Sequence, residues 1–358
     1  MHFCFSITAH GFGHGAISCS VINRLMKYHP HIKISVMTRL PKSYLDSRLI
    51  AEFDYHSIGF DFGMLMASPI VVDVQNSRDK YQALFENWQS FVDQEKQLLI
   101  EIKPDRMISN ISPISLDAAL QLGIKTASVA PFNWAQIYQR YCLDESQQTQ
   151  SVYQKMNAVY QAVDQVFKPL PFVPLDDGSE IILASINDQP QVDLVCLLKL
   201  LPENTKKIGL IALGGLPFPL DLTRWPKIEG LHWLVDQTIL TARSDMSQIG
   251  LLNMPFLQLV ASADLIITKP GYGTYCEIAS LAKHKKIRTI SLERPDWPET
   301  PYLNHFLSER VPFVEIDALQ LSTEALKTVI ENLSQLDYPN ELLCEDGAMQ
   351  LIKFLLRY

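Results

Sequence analysis

The stretch 264-DLIITKPGYGTYCEIASLAKH-284 decides the fold. It opens on a short apolar run, Asp264 to Lys269, of the length and composition of a buried strand. Pro270 then enforces an extended entry, Gly271 and Gly273 supply a turn, and a helix is expected over 272–283. Strand, glycine turn and helix together form the repeating unit of a parallel α/β sheet. Thr274 to Glu277 also read T-x-x-E, the pattern of a capping box in which Thr caps a helix and Glu reaches back to the cap N–H. A cap by itself calls for neither Lys269 nor two glycines. A cation, bare amides and a helix dipole at one point suit a diphosphate. The pair Gly214-Gly215, just after the expected strand 208–213, is placed to add amides to the same anion.

A second unit of this form begins the chain, 3-FCFSITAHGFGHGAIS-18. Gly11, Gly13 and Ala16 satisfy G-x-G-x-x-A, the dinucleotide fingerprint, but the acidic residue expected at the end of the second strand is replaced by Thr38 and Arg39. An NADP-like reading then rests on Arg39 meeting the extra phosphate. His10 and His14 lie four apart across glycines with no third ligand nearby in sequence, so no metal site is read there. His14 has two readings, a helix residue that hydrogen-bonds locally or a general base at the cleft.

Outward from these units the same alternation continues. Strands are expected at 2–8, 33–38, 106–110, 125–130, 208–213, 231–235, 264–269, 288–292 and 312–316. Helices are expected near 14–28, 80–102, 113–122, 149–163, 191–201, 254–262, 272–283, 322–335 and 341–357. The proline-rich segment 168-KPLPFVPLDDG-178 interrupts the pattern and reads as a hinge. The fold class is therefore α/β, two Rossmann-like doubly wound domains facing a central cleft. Their expected limits are 1–168 and 169–340, with a final helix in 341–358 set to pack back on the N-terminal domain. Ligands of such sheets bind at the carboxyl ends of the strands.

Composition narrows the partners. The 31 basic and 39 acidic residues give a net charge of −8, and the basic residues are scattered, so no nucleic-acid face is expected. The six cysteines form no C-x-x-C pair, which argues against a zinc site or disulfide framework and for a reducing, cytoplasmic setting. No window reaches the ~18 apolar residues of a transmembrane segment, and the N-terminus lacks a basic leader region.

TKPGYGTYCE, the paired domains and the HGFGH turn resemble the GT-B nucleotide-sugar glycosyltransferases, in particular the peptidoglycan GlcNAc transferase and diacylglycerol glucosyltransferase group. A closer resemblance is to the glycosyltransferase-like domain fused to arabinokinase, carried also by 104-PDRMISNISP-113, FNW at 132–134, IYQRY at 137–141 and ETPYLNH at 299–305. The resemblance implies a UDP-sugar donor, no cofactor and no metal. Gly214, Gly215, Lys269, Gly271, Tyr272, Gly273 and Thr274 would hold the diphosphate. Glu277 would bind the ribose, in competition with its capping role, and Glu299 and Asn304 would contact the sugar. His10, Gly11, Phe12 and Gly13 would form the acceptor-side loop, with His14 as the catalytic base. The acceptor, a glycan or lipid, is not named by these residues. Two departures stand out. His14 is followed by Gly-Ala-Ile-Ser where the relatives have Ala-Thr-Arg, and Glu299-Thr300 replaces their paired Gln or Glu. Rival functions are a nucleotide-sugar-binding protein without transfer, a nucleotide-sugar epimerase and an NADP-dependent oxidoreductase.

Overall fold

Strands rich in Val, Ile and Phe on both faces need cover on both faces, and helices provide it. The structure is a computed structural model that describes residues 1–68, 70–188, 192–214, 220–236, 243–321, 324–339 and 345–357. The chain begins β1 (His2–Ile7), α1 (Gly13–Tyr28), β2 (Lys33–Thr38), α2 (Lys42–Arg48) and β3 (Asp54–His56). A short antiparallel pair, β4 (Met66–Ser68) and β5 (Val71–Val72), precedes α3 (Val74–Glu86) and α4 (Trp88–Ile102). Next come β6 (Arg106–Asn110), α5 (Pro113–Gln121), β7 (Lys125–Val129), α6 (Trp134–Tyr141), α7 (Gln147–Gln161), β8 (Gln165–Pro169) and β9 (Ile181–Leu183). The second half runs α8 (Leu194–Lys199), β10 (Lys207–Ala212), β11 (Leu231–Val235), β12 (Met246–Gln248) and α9 (Phe256–Ser262). It continues β13 (Leu265–Thr268), α10 (Tyr272–Leu281), β14 (Arg288–Leu292), α11 (Thr300–Ser308), β15 (Phe313–Ile316), α12 (Glu324–Gln335) and α13 (Gly347–Leu355).

The strands form two parallel sheets, ordered β3-β2-β1-β6-β7-β8-β9 and β12-β11-β10-β13-β14-β15. In each sheet the winding reverses once, between β1 and β6 in the first and between β10 and β13 in the second. A crevice opens outside the carboxyl ends of the strands at such a reversal. The HGFGHG turn follows β1, and Gly214 and Lys269 follow β10 and β13. The glycine turns thus occupy the two places where this topology leaves room for a ligand.

One apolar cluster runs from Phe3, Ile22 and Val36 through Leu210 and Ile266 to Leu351 and Leu355, joining the inner faces of both sheets. Separate clusters fill the outer faces, one around Trp88, Trp134 and Tyr138 and the other around Trp225 and Trp233. The sheet membership differs from the expected domain limits. Position 168 falls inside β8, and β9 still pairs with β8 in the first sheet, because the prolines of 169–174 bend the chain without ending its pairing. The helix expected over 80–102 is two helices. Asn87 ends the first by donating from its side-chain amide to the Ala83 carbonyl at 2.9 Å, and so competes with the backbone.

Helix α13 packs on α1, where Asp346 pairs with Arg24 at 2.8 Å and Gln350 accepts from the Ala184 amide at 2.7 Å. Gly347 makes this approach possible, since a Cβ there would lie 1.9 Å from the Ala184 carbonyl oxygen. Replacing Gly347 by alanine is expected to lower stability by ~1–3 kcal/mol, the usual range for overpacking. Denaturant unfolding would register this as a lower midpoint; an unchanged midpoint would mean that the α13 contact adds nothing.

Candidate active site in the cleft between the sheets

Thr8 ends β1 and anchors the first wall of the cleft. Its amide donates to the Asn110 carbonyl at 2.8 Å, and its hydroxyl donates to Asp61 while accepting from the Ile111 amide at 3.2 Å and from Trp134 Nε1 at 3.4 Å. Gly11 then turns the chain with φ of 73°, a left-handed conformation that favours glycine. A Cβ at Gly11 or Gly13 would meet nothing within 4 Å, so the turn leaves open space beside its backbone. Phe12 and both glycines are exposed.

His14 sits in the first turn of α1 and is buried. Its hydrogen bond is not local: Nδ1 meets Asn110 Oδ1 at 2.7 Å, at the end of the neighbouring strand β6. The Asn110 amide nitrogen lies 3.2 Å from the His14 carbonyl and 3.4 Å from Ser18 Oγ, so its oxygen faces the imidazole and Nδ1 must carry the proton. Nε2 is therefore the basic nitrogen. Burial pushes the ring down to about 4, partly opposed by the Asn110 hydrogen bond, and His14 is neutral at physiological pH. His10 donates from Nδ1 to the Phe62 carbonyl at 3.2 Å and lies nearly parallel to Trp297, at 12° and 6.3 Å. Burial pushes it down to about 3, and neighbouring His14, Arg294 and Lys269 add to the effect against the Phe62 hydrogen bond.

Replacing Asn110 by aspartate would set a carboxylate against the Nδ1–H. The expected result is a rise of ~1–3 units in the pKa of His14. NMR titration of the ring checks this without an assay, and a ring still titrating near its wild-type value would contradict the pairing.

The second wall starts at Lys269, where β13 ends. Gly214, at the end of neighbouring β10, has φ of 88°, and a Cβ there would come within 3.0 Å of Lys269 Cε. Glycine therefore allows the lysine to lie across the strand end. Burial lowers the Lys269 ammonium to about 8, with the Arg294 charge adding to the effect. Gly215 lies outside the described residues.

Helix α10 corrects the capping-box expectation. Its N-cap is Gly271, in extended conformation and with no side-chain cap, so Thr274 and Glu277 already lie inside the helix. The Pro270-Gly271 entry starts the helix three residues earlier than T-x-x-E requires, and its first amides are left uncapped by any side chain. Glu277 is buried and points at the other half of the protein, 3.8 Å from Arg48 Nη2 on α2. Arg48 also holds Asp188 at 3.3 Å. Burial raises the Glu277 carboxyl to about 7 against the pull of Arg48. Tyr272 turns inward, its hydroxyl accepting from the Ile186 amide at 2.9 Å, so only its backbone belongs to the turn.

Glu299 is the N-cap residue of α11 and is buried. Its Oε2 accepts from Trp297 Nε1 at 3.3 Å, Oε1 has no partner, and burial raises it to about 7. Asn304 does not join it. Five residues along a helix amount to a rotation of about 140°, and Asn304 Oδ1 instead lies 3.1 Å from the Tyr275 hydroxyl inside the second half. Arg39, the residue of the NADP-like reading, is exposed, and its Nε reaches the Gly59 carbonyl at 3.4 Å. The sequence reading passed over Asn110, Arg294 and Trp297. Asn110 stood within a quoted motif, but no local pattern marks it as the partner of His14.

Among the described residues no group of three or more His, Cys, Asp or Glu is gathered as a metal site, and no helix is long and apolar enough to cross a membrane. An open groove of about 780 Å³ along Ile32, Ile34, Leu49 and Phe53 lies at the amino ends of β2 and β3, the edge opposite the glycine turns.

No family model matches the chain. L-arabinokinase of Arabidopsis thaliana is 24% identical over 316 residues, 85% of this chain, and the chain spans 29% of that protein's length. Among solved structures, the kitacinnamycin glycotransferase superposes with a TM-score of 0.68 at 13% identity, covering 99% of this chain and 98% of that one. Arabidopsis thaliana UGT89C1, solved with quercetin and separately with UDP, gives 0.61 at 13% identity over 99% of this chain and 92% of its own. MurG of Acinetobacter baumannii gives 0.52 at 12% identity over 100% and 99%. At these identities the likeness is one of fold, and that fold is the two-sheet GT-B arrangement of glycosyltransferases.

Proposed function

We propose that the chain transfers a sugar from a UDP-sugar to an acceptor hydroxyl by a single inverting displacement that uses no metal. What supports this reading is a neutral buried histidine at the reversal point of one sheet and, at the reversal point of the other, a lysine beside helix amides that no side chain caps. The uridine nucleotide is suggested by UGT89C1, solved with UDP. His14 Nε2 takes the acceptor proton as the acceptor oxygen attacks the anomeric carbon. The bond to the diphosphate breaks, and its charge is met by Lys269 and the amides at the start of α10. Glu277 holds the ribose hydroxyls, and Glu299 accepts from a sugar hydroxyl at its open Oε1.

One observation favours a second reading, a nucleotide-sugar-binding protein without transfer. Asn110 orients His14 but brings no charge to stabilise the imidazolium that proton transfer creates. A thermal-shift panel of UDP, UDP-sugars, GDP-sugars and NADPH tests the ligand class. A ligand at about 100 times its Kd stabilises by about 2.7 kcal/mol, and UDP and UDP-sugars are expected to raise the melting temperature. Stabilisation by NADPH with none by UDP would refute the proposal. Stabilisation by UDP-sugar with no transfer to any acceptor or to water would select the binding protein.

A further inference from the structure

We propose that Arg48, in the first half of the protein, is a positioning residue of the nucleotide site in the second, giving Glu277 the positive neighbour that lets it accept from ribose hydroxyls as a carboxylate. This rests on the UDP-sugar reading above and on its assignment of the ribose to Glu277, and it makes that contact depend on how the two halves meet. Arg48 itself does not touch the nucleotide. It ends α2, and the end of that helix is pinned to α1. Asn23 donates from its side-chain amide to the Arg48 carbonyl at 2.8 Å and accepts from the Ile50 amide at 3.1 Å. Tyr44, one turn earlier, has the guanidinium 5.5 Å from its ring centroid and donates its hydroxyl to the Phe12 carbonyl at 2.9 Å. A guanidinium resting against a ring keeps its N–H edge for acids. Gly15 leaves space for that ring, since a Cβ there would lie 2.6 Å from Tyr44 Cε1. This glycine is where the first turn departs from its relatives, which have alanine after the histidine.

The N–H edge meets two acids. Nη1 lies 3.3 Å from Asp188 Oδ2, in the segment between β9 and α8, and Nη2 lies 3.8 Å from Glu277 Oε1 on α10. The second contact is longer than a hydrogen bond, so Arg48 acts on Glu277 through its charge and occupies none of the carboxylate lone pairs. Among the described residues no donor hydrogen-bonds to those oxygens, although the Glu277 side chain is only 5% exposed. Buried polar atoms are as a rule hydrogen-bonded. A carboxylate with a cation beside it and its acceptor capacity unspent suits the two neighbouring hydroxyls of a ribose. Burial raises the Glu277 carboxyl to about 7; Arg48 opposes the rise and Asp188 adds to it. Ionisation near neutral pH therefore depends on Arg48. The remaining groups around this pair are accounted for. Burial raises the Tyr44 hydroxyl and the Cys19 thiol that face Arg48, which keeps both neutral, and Arg24 acts on Asp188.

Calorimetric titration of wild type, Arg48→Gln and Arg48→Lys with UDP and 2′,3′-dideoxy-UDP, on both sides of neutral pH, tests this. The ratio of the two affinities isolates the ribose hydroxyls, because titration of the phosphates is common to both ligands and cancels. Wild type should prefer UDP by ~10- to 100-fold in alkaline solution. That preference should grow as pH rises through about 7, where Glu277 loses its proton. Arg48→Gln should move the rise ~1–3 units higher. Near neutral pH its preference for UDP then falls by about tenfold for a shift of about one unit, and returns as the pH is raised. Affinity for dideoxy-UDP is unchanged, and Arg48→Lys, which keeps the charge, retains most of the wild-type preference. Should Arg48→Gln fail to fold because two buried acids are left without their cation, Arg48→Gln combined with Asp188→Asn takes its place. The rise still moves upward, since Arg48 acts on Glu277 more strongly than Asp188 does. The proposal is overturned if the variant keeps the wild-type preference at every pH. It is equally overturned if both ligands weaken alike, which marks a structural role, or if the variant binds UDP more tightly than wild type, which makes the ion pair a barrier to the ribose. Wild type that binds UDP without preferring it to dideoxy-UDP removes the Glu277 contact and this proposal, while the UDP-sugar reading stands. Wild type that binds neither ligand removes that reading as well.

Discussion

Replacing His14 by alanine is expected to lower turnover by ~10²–10⁴-fold, the usual contribution of a positioned general base, while leaving UDP affinity within about twofold. The separation follows from geometry. His14 belongs to the first sheet and is hydrogen-bonded to Asn110, whereas every residue proposed to hold the nucleotide belongs to the second. The same variant has a second readout. In the folded chain the ring titrates near 4 rather than its ordinary 6.5. As pH falls from about 6.5 through about 4 the unfolded state takes up the proton first, so wild-type stability declines over that window. The alanine variant should lose this part of the acid sensitivity. Equal loss of turnover and UDP affinity would instead make His14 a binding or folding residue.

Replacing Glu277 by alanine is expected to weaken UDP binding by ~10- to 100-fold, the worth of hydrogen bonds from ribose hydroxyls to a buried carboxylate. The melting temperature should hold or rise. Burial raises this carboxyl to about 7, so between about 4.5 and 7 the folded chain holds a proton that the unfolded chain has released. Stability therefore falls as pH rises through that window, and alanine removes the loss. Arg48 keeps Asp188 as its partner, so the substitution leaves no cation stranded. A fall in melting temperature with UDP affinity intact would assign Glu277 to the contact between the halves, through Arg48.

The strand, glycine-turn and helix units around Lys269 and Gly11 were legible in the sequence because their causes are local. Apolar run length, a proline that extends the chain and glycines that turn it all act within a few residues. The capping box was legible too, and it did not form. T-x-x-E states what Thr274 and Glu277 do if a helix begins at Thr274, but Gly271 begins it earlier. The position of Asn304 relative to Glu299 was likewise not legible. Closeness in sequence to Glu299 put both in one motif, and the turn of α11 then separated them.

Sequence alone determined the two-sheet architecture and the glycine turns at strand ends, since periodicity and turn chemistry are properties of short segments. Tertiary structure decided which side chains share an environment. It placed Asn110 behind His14 across 96 residues, Arg48 against Glu277, and His10 beside Trp297. Those pairings depend on which strands become neighbours and on how the two sheets face each other. Both follow from burying apolar faces that no single segment can cover by itself.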